Sequence, residues 1–261
     1  MNCEARYDKR SIWYIDEFKF FEDIPLISSF LKNDDNVLDI PCGAGRLIPQ
    51  FVKSNVRFTG ADVEEKMIRQ YEMRIRNLDT SDRHIGHTCI ADMRDMSNLG
   101  VYDKIIVSRH GLQLLPSYSD VSLALSAMSK HLRSGGVLYL DVCKIAEHFS
   151  NRSVQRYLDF SSGAVLKGKD QIDLKDGVMI RKFISKISDG KANVTFWYRV
   201  NVSEERVIRF VAHNSWLIID TDWLLNELSR DDLCPIEEFG DYSGNPFRQN
   251  SERLILEARK K

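Results

Sequence analysis

The chain lacks a strong charge of either sign. Its 37 Lys and Arg stand against 38 Asp and Glu, a formal net charge of −1. No overall basic field therefore recruits nucleic acid or anionic lipid, and a nucleic-acid substrate is not expected. Cysteine is sparse and unpaired in pattern: Cys3, Cys42, Cys89, Cys143 and Cys234 form no C-x-x-C. An odd, scattered count excludes a disulfide framework and fits a reducing compartment. The six histidines form no H-x-x-x-H or Cys/His cluster, so no metal site is expected. No apolar run approaches the roughly 20 residues that span a bilayer. Residues 1–20 are charged and aromatic rather than basic followed by apolar, which argues against a signal peptide. A cytoplasmic location with no membrane partner is the expectation.

What is present is an ordinary globular balance, 43% hydrophobic and 29% charged over 261 residues. That length suffices to bury a proper core. Apolar strands alternate with amphipathic helices between about Asn36 and Val142. The strands fall at Val37–Ile40, Val56–Ala61, His87–Ala91, Tyr102–Ser108 and Val137–Val142. Between them, one helix ends near Val52, one carries Met67, Ile68, Tyr71 and Ile75, and one carries Val121, Leu123, Leu125, Met128 and Leu132. This alternation predicts an α/β fold, a Rossmann-like doubly wound and mostly parallel sheet. Ligands in such sheets sit at the carboxyl ends of the strands near a topological switch point.

After Val142 the pattern changes. Two alternating runs, Val178–Ile187 and Asn193–Asn201, flank Ser188-Asp189-Gly190-Lys191, an Asp-Gly hairpin signal. A third strand, Arg206–Ala212, extends the antiparallel patch, and Asp222–Leu228, Leu233–Phe239 and Arg253–Ala258 return to the α/β style. The expected organisation is one domain in four parts. These are a cap and helix (1–33), a cofactor-binding core (34–145), a β-rich insertion or lid (146–215), and a return to the core sheet (216–261). Pro25 opens the helix of the first part, with Leu26, Ile27, Phe30 and Leu31 as its apolar face.

The densest signal is Val37-Leu-Asp-Ile-Pro-Cys-Gly-Ala-Gly-Arg46. A buried strand ends in Asp39, a turn holds Gly43 and Gly45, and Leu47, Ile48, Phe51 and Val52 follow at helical spacing. Strand, turn and helix in that order let backbone N–H groups face a ligand. A dinucleotide fingerprint requires a third glycine where this chain has Ile48, and no Walker loop is present. What remains, Asp39-x-x-Cys42-Gly43-x-Gly45, resembles the S-adenosylmethionine loop of class I methyltransferases. Three further stretches agree with it: Gly60-Ala61-Asp62, Ala91-Asp92-Met93, and Leu132-Arg-Ser-Gly135-Gly136. The closing Phe239-Gly-Asp-Tyr-Ser-Gly-Asn-Pro-Phe247 and the early Tyr7-Asp8 also resemble small-molecule members of that family.

The resemblance implies S-adenosylmethionine as cofactor, with the homocysteine form as product. Asp39, Gly43 and Gly45 would then hold the methionyl part, Asp62 the ribose, and Asp92 with Met93 the adenine. Arg46, Val63, Ser108 and Tyr14 complete the expected cofactor set. Methyl transfer from a sulfonium is an in-line displacement that depends mostly on positioning. A general base matters only for a protonated acceptor, and His110, at the end of the fourth strand, is the candidate. Gln113, Trp197 and Tyr198 are the expected substrate-binding residues, with Arg181 and Arg209 offering charge and His213 a weaker alternative to His110. The acceptor stays open at this point: a small molecule, or RNA or protein, or no acceptor at all in a regulatory module. A monomer, or a homodimer through the β insertion, is expected.

Overall fold

The computed structural model describes residues 13–14, 21–79, 82, 85–144, 156–157, 165–174, 177–202 and 206–261, without the side chains of 156–157, 165–168 and 170. Tyr7 and Asp8 lie outside the described residues. The core strands are β1 (Asn36–Asp39), β2 (Arg57–Asp62), β3 (Gly86–Ile90), β4 (Tyr102–Val107), β5 (Leu132–Cys143), β11 (Leu233–Phe239) and β12 (Arg253–Lys260). They form one sheet in the order β11-β12-β5-β4-β1-β2-β3. The first five strands pair in parallel, and β12 enters antiparallel between β5 and β11. The chain winds outward in one direction through β2 and β3 and in the other through β4 and β5. β1 is thus the switch point, and the loops after β1 and β4 diverge to leave a crevice.

The helices are α1 (Ile24–Phe30), α2 (Ile48–Lys53), α3 (Glu65–Arg76), α4 (Tyr118–His131) and α5 (Thr221–Arg230). Met67, Ile68, Tyr71 and Ile75 are the residues α3 buries, while its fifth apolar residue, Met73, is exposed. In α4 the buried stripe runs through Val121, Ala124, Leu125 and Met128; of the residues expected there, Leu123 is exposed and Leu132 instead begins β5. Ser117 and Asp220 cap α4 and α5 by accepting from Asp120 N and Trp223 N. Among the described residues no helix is long and apolar enough to cross a membrane, and no group of His, Cys, Asp and Glu could hold a metal ion.

A second sheet stands between β5 and α5. Its strands are β6 (Arg156–Tyr157), β7 (Val165–Leu174), β8 (Gly177–Ser188), β9 (Lys191–Asn201) and β10 (Val207–Leu217), all antiparallel. Asp189 and Gly190 both take positive φ, 53° and 69°, as the two-residue hairpin expected from their sequence requires. β10 runs five residues past its expected end at Ala212. His213, Asn214 and Ser215 look like a strand stop, yet each pairs with β9 back to the hairpin turn. The pairing partner, not local hydrophobicity, sets that length.

Gln113 joins the two sheets. It lies in a 3₁₀ turn, Gly111–Leu114, and is fully buried. Its amide nitrogen donates to Cys143 O (3.1 Å) and Leu217 O (3.0 Å), and its amide oxygen accepts from Cys143 N (2.8 Å). The ends of β5 and β10 therefore meet on one side chain. Gln113→Leu, which keeps the volume but orphans three buried backbone groups, should cost about 3 kcal/mol. Urea unfolding checks this, and a loss below about 1 kcal/mol would show that the joint lies elsewhere.

Candidate functional site

The turn after β1 is built so that its backbone stays uncovered. Gly43 and Gly45 hold φ of +52° and +84°. A Cβ on Gly45 would stand 2.6 Å from Ile48 Cδ1 and 3.0 Å from Tyr71 Cδ2, so only glycine fits there. A Cβ on Gly43 would stand 3.2 Å from Tyr14 Cε1, which places the Tyr14 ring against the loop. Asp62, at the end of β2, braces the turn. Gly43 N donates to one carboxylate oxygen (2.9 Å) and Glu64 N to the other (3.0 Å). Val63, beside it, is exposed.

Charge in this crevice is unbalanced. Asp39 is buried, and that burial pushes its pKa up to about 8; Arg46 opposes the rise, and Asp62 and Asp23 add to it. Burial likewise raises Asp62 to about 6 against the hydrogen bonds from the Glu64, Gly43 and Val63 backbone. Burial and these two carboxyls together push the Cys42 thiol well up. Arg46 is bidentate to Asp23, at 2.8 and 2.6 Å. Buried carboxyls whose pKa burial raises, with Arg46 only partly opposing the rise at Asp39, suit an ammonium or sulfonium ligand and would repel a pyrophosphate. The residues present therefore fit S-adenosylmethionine.

The neighbouring strand ends supply the rest. Ala91 N donates to Asp62 O (3.1 Å), so Asp92 and Met93 follow directly beside the loop. Asp92 is paired with Arg94 at 2.6 Å, which holds its carboxyl below the usual range. Met93 is buried. On the other side of β1, Ser108 ends β4, and Arg109 and His110 both adopt the left-handed conformation, φ 46° and 63°.

Asp141 on β5 holds that strained pair. Arg109 N donates to its Oδ2 (3.1 Å) and His110 N to its main-chain oxygen (3.2 Å). Tyr242 Oη also donates to Oδ2 (2.7 Å), and Arg253 Nη1 donates to Oδ1 (2.7 Å). Arg253 Nη1 further lies 3.4 Å from His110 Nδ1. A guanidinium only donates, so Nδ1 is the acceptor and the imidazole proton rests on Nε2. Asp141, Tyr242 and Arg253 did not emerge from the sequence as site residues. Their one signal was a charge, Asp141, inside the apolar run Val137–Val142, which demands a buried partner.

The second sheet meets this crevice through Trp216, on the face it shares with Tyr198 and Phe210. Trp216 lies 6.0 Å from the His110 ring, and Trp13 stacks on Phe210, which stacks on Tyr198 at 4.5 Å. Arg181 lies over Phe196 on the same face. Two expectations need correction. Trp197 cannot line this site beside Tyr198, because adjacent strand residues point to opposite faces; it is 45% exposed on the outside. Gln113 does not face a substrate, since both its N–H groups are spent on backbone carbonyls. His213 and Arg209 also lie on the outer face, where His213 meets Thr195.

Residues 37–136 match the family model described as a methyltransferase domain. The curated protein "Putative methyltransferase YqeM" of Bacillus subtilis (strain 168) is 26% identical over 127 residues, 47% of this chain and 49% of that protein. The chain thus spans about half the length of the curated relative it matches. Two solved structures share the fold across nearly all of both chains. The first is S-adenosylmethionine-bound CalS10, an amino pentose methyltransferase from Micromonospora echinaspora (16% identity, 96% and 95% covered, TM-score 0.69). The second is the sugar N-methyltransferase KedS8 from Streptoalloteichus sp ATCC 53650 (17% identity, 96% and 92% covered, TM-score 0.71). The β1 switch point and the glycine turn lie within residues 37–136, the part that matches the methyltransferase-domain model, and the fold of the chain is that of the S-adenosylmethionine-dependent methyltransferases.

Proposed function

We propose that this chain methylates a nitrogen, oxygen or carbon of a small-molecule metabolite or natural product. The observation that carries the reading is the aromatic roof. Trp13, Tyr14 and Trp216 tie the second sheet and the amino-terminal segment over the glycine loop and His110. A covered crevice admits a small acceptor more readily than a folded polymer. The sugar-modifying activities in the names of CalS10 and KedS8 agree with that class.

When bound, S-adenosylmethionine supplies an electrophilic methyl group on a sulfonium. The Asp39 carboxyl would take the methionyl ammonium, and the uncovered backbone at Gly43 and Gly45 would hold the methionyl part. Asp62 accepts from the ribose hydroxyls with the lone pairs that Gly43 N and Glu64 N leave unused. Asp92, kept ionised by Arg94, would accept from the adenine amino group, and Met93 would offer the ring an apolar surface. Arg46 acts by holding Asp23 rather than by touching the ligand. His110 carries its proton on Nε2 and so positions the acceptor by donating to it.

Two outcomes follow from these assignments. Asp39 must lose a proton to receive the ammonium, and its folded value of about 8 lies far above the unfolded carboxyl near 3.9. Its contribution to the stability of the ligand-free fold is greatest at low pH and falls as pH rises from about 4 to about 8. Cofactor affinity runs the other way, tightening by up to roughly tenfold per unit between pH 6.5 and 8 with release of a proton. Calorimetry in two buffers of different ionisation enthalpy reads both, and Asp39→Asn should flatten the dependence. An affinity independent of pH in the unaltered protein would remove Asp39 from the ammonium site.

Labelled methyl groups should pass from the cofactor into the small-molecule fraction of a cell extract and not into RNA or protein. His110→Ala should lower that rate about 100-fold, and His110→Gln, which keeps a donor, should restore part of it. With saturating cofactor, a rate that rises with an apparent pKa near 6.5 and disappears in His110→Gln would instead make His110 a base. Label in the polymer fractions would overturn the small-molecule reading.

A further inference from the structure

The outer face of the second sheet is built for something other than solvent. Across β7–β10, Lys169, Lys182, Trp197 and Val211 form one row in direct register. The next row is Gln171, Ile180, Arg199 and Arg209. Residues directly opposite share a face, so Lys169 meets Lys182 and Arg199 meets Arg209, two like-charge pairs across the ladder. Such pairs are destabilising; the two rows themselves contain no carboxylate, Asp173 standing in the adjoining row of the same face, and Arg199 Nε donates to Asn201 Oδ1 (3.2 Å). In their midst Trp197 and Val211 are 45% and 48% exposed. All residues of the two rows but Gln171, together with Tyr198 and Phe210, line an open concavity of ≈ 510 Å³. The chain as a whole carries a charge of only −1, so this face is a local departure from its balance.

A half-exposed indole among paired cations offers a stacking surface for a planar ring and an anchor for several negative charges. The volume is that of a small-molecule site. A second copy whose two-fold axis passed through these rows would set cation against cation. We propose that the outer face of the second sheet is a separate binding site for a nucleoside polyphosphate, with the base on Trp197 and the phosphates between Lys182, Arg199 and Arg209. The site lies on the opposite side of the sheet from Trp216 and His110 and rests on no assumption about methyl transfer.

The test uses the full chain with saturating S-adenosylhomocysteine, so that the crevice at Gly43 is blocked. ATP, adenosine, inorganic triphosphate and a single-stranded decanucleotide are titrated by calorimetry, with quenching of Trp197 fluorescence as a second readout. ATP should bind at micromolar to sub-millimolar concentration, more weakly as salt rises, and more tightly than either adenosine or triphosphate alone. Trp197→Ala and the pair Arg199→Ser/Arg209→Ser should each weaken ATP by about tenfold or more and leave S-adenosylhomocysteine affinity unchanged. All three positions are exposed, so these variants should fold. No ATP binding at about 1 mM, or binding that ignores both variants, overturns the proposal. So does triphosphate binding as tightly as ATP, which would leave no role for the ring. A decanucleotide more than about 100-fold tighter than ATP overturns it in favour of a nucleic-acid track. Concentration-dependent dimers that bury Trp197 overturn it in favour of a second copy.

Discussion

One carboxylate, Asp141, governs the acceptor side of the molecule. It is buried at the end of the central sheet and receives Arg253, Tyr242 and the backbone of Arg109, while its main chain receives His110. A buried anion must be met by donors or it is expelled. Here the donors come from β4, β12 and the turn before it, so meeting the charge also fixes three chain segments. The two left-handed residues at the end of β4 are the visible cost, held in place because their N–H groups are needed at Asp141. His110 thereby points one ring nitrogen at a guanidinium and has its tautomer chosen for it.

The cofactor side follows the opposite electrostatic rule. Asp39 and Asp62 are buried without enough cationic compensation, and each binds protons more strongly than a free carboxyl. Arg46, which could have neutralised them, is turned to Asp23 by a bidentate pair. Asp23 also meets Arg109, which in turn lies against Tyr242 and bonds Asp141 through its backbone. The compensated anion and the uncompensated ones are therefore parts of one chain of contacts. Its two ends differ in what they await, a cation at the glycine turn and an oriented nucleophile at His110.

The core was legible because its local and global demands agree. Parallel strands buried on both faces read as apolar runs, and the α3 stripe of Met67, Ile68, Tyr71 and Ile75 appeared at helical spacing and is buried. The Asp189-Gly190 hairpin was equally plain, since few residues accept two positive φ angles in succession. β7 and the far end of β10 were not legible. Their residues carry polar side chains and take their strand state from pairing with β8 and β9. Trp197 and Tyr198 show the other limit. Alternation says that they face apart, but not which of them faces the crevice.

The sequence by itself determined the ligand-facing turn, because glycine at positions 43 and 45 and a carboxylate at each strand end are local chemical requirements. It also determined that the sheet is mostly parallel, through the alternation of apolar strands and amphipathic helices. Only the tertiary structure decided which polar residues work in the site and which merely hold it. Gln113 became a joint between sheets, Arg46 a partner of Asp23, and Asp141 the support of His110. The physical reason is that a polar side chain's role depends on the partners its burial forces upon it. Those partners lie up to 112 positions away along the chain.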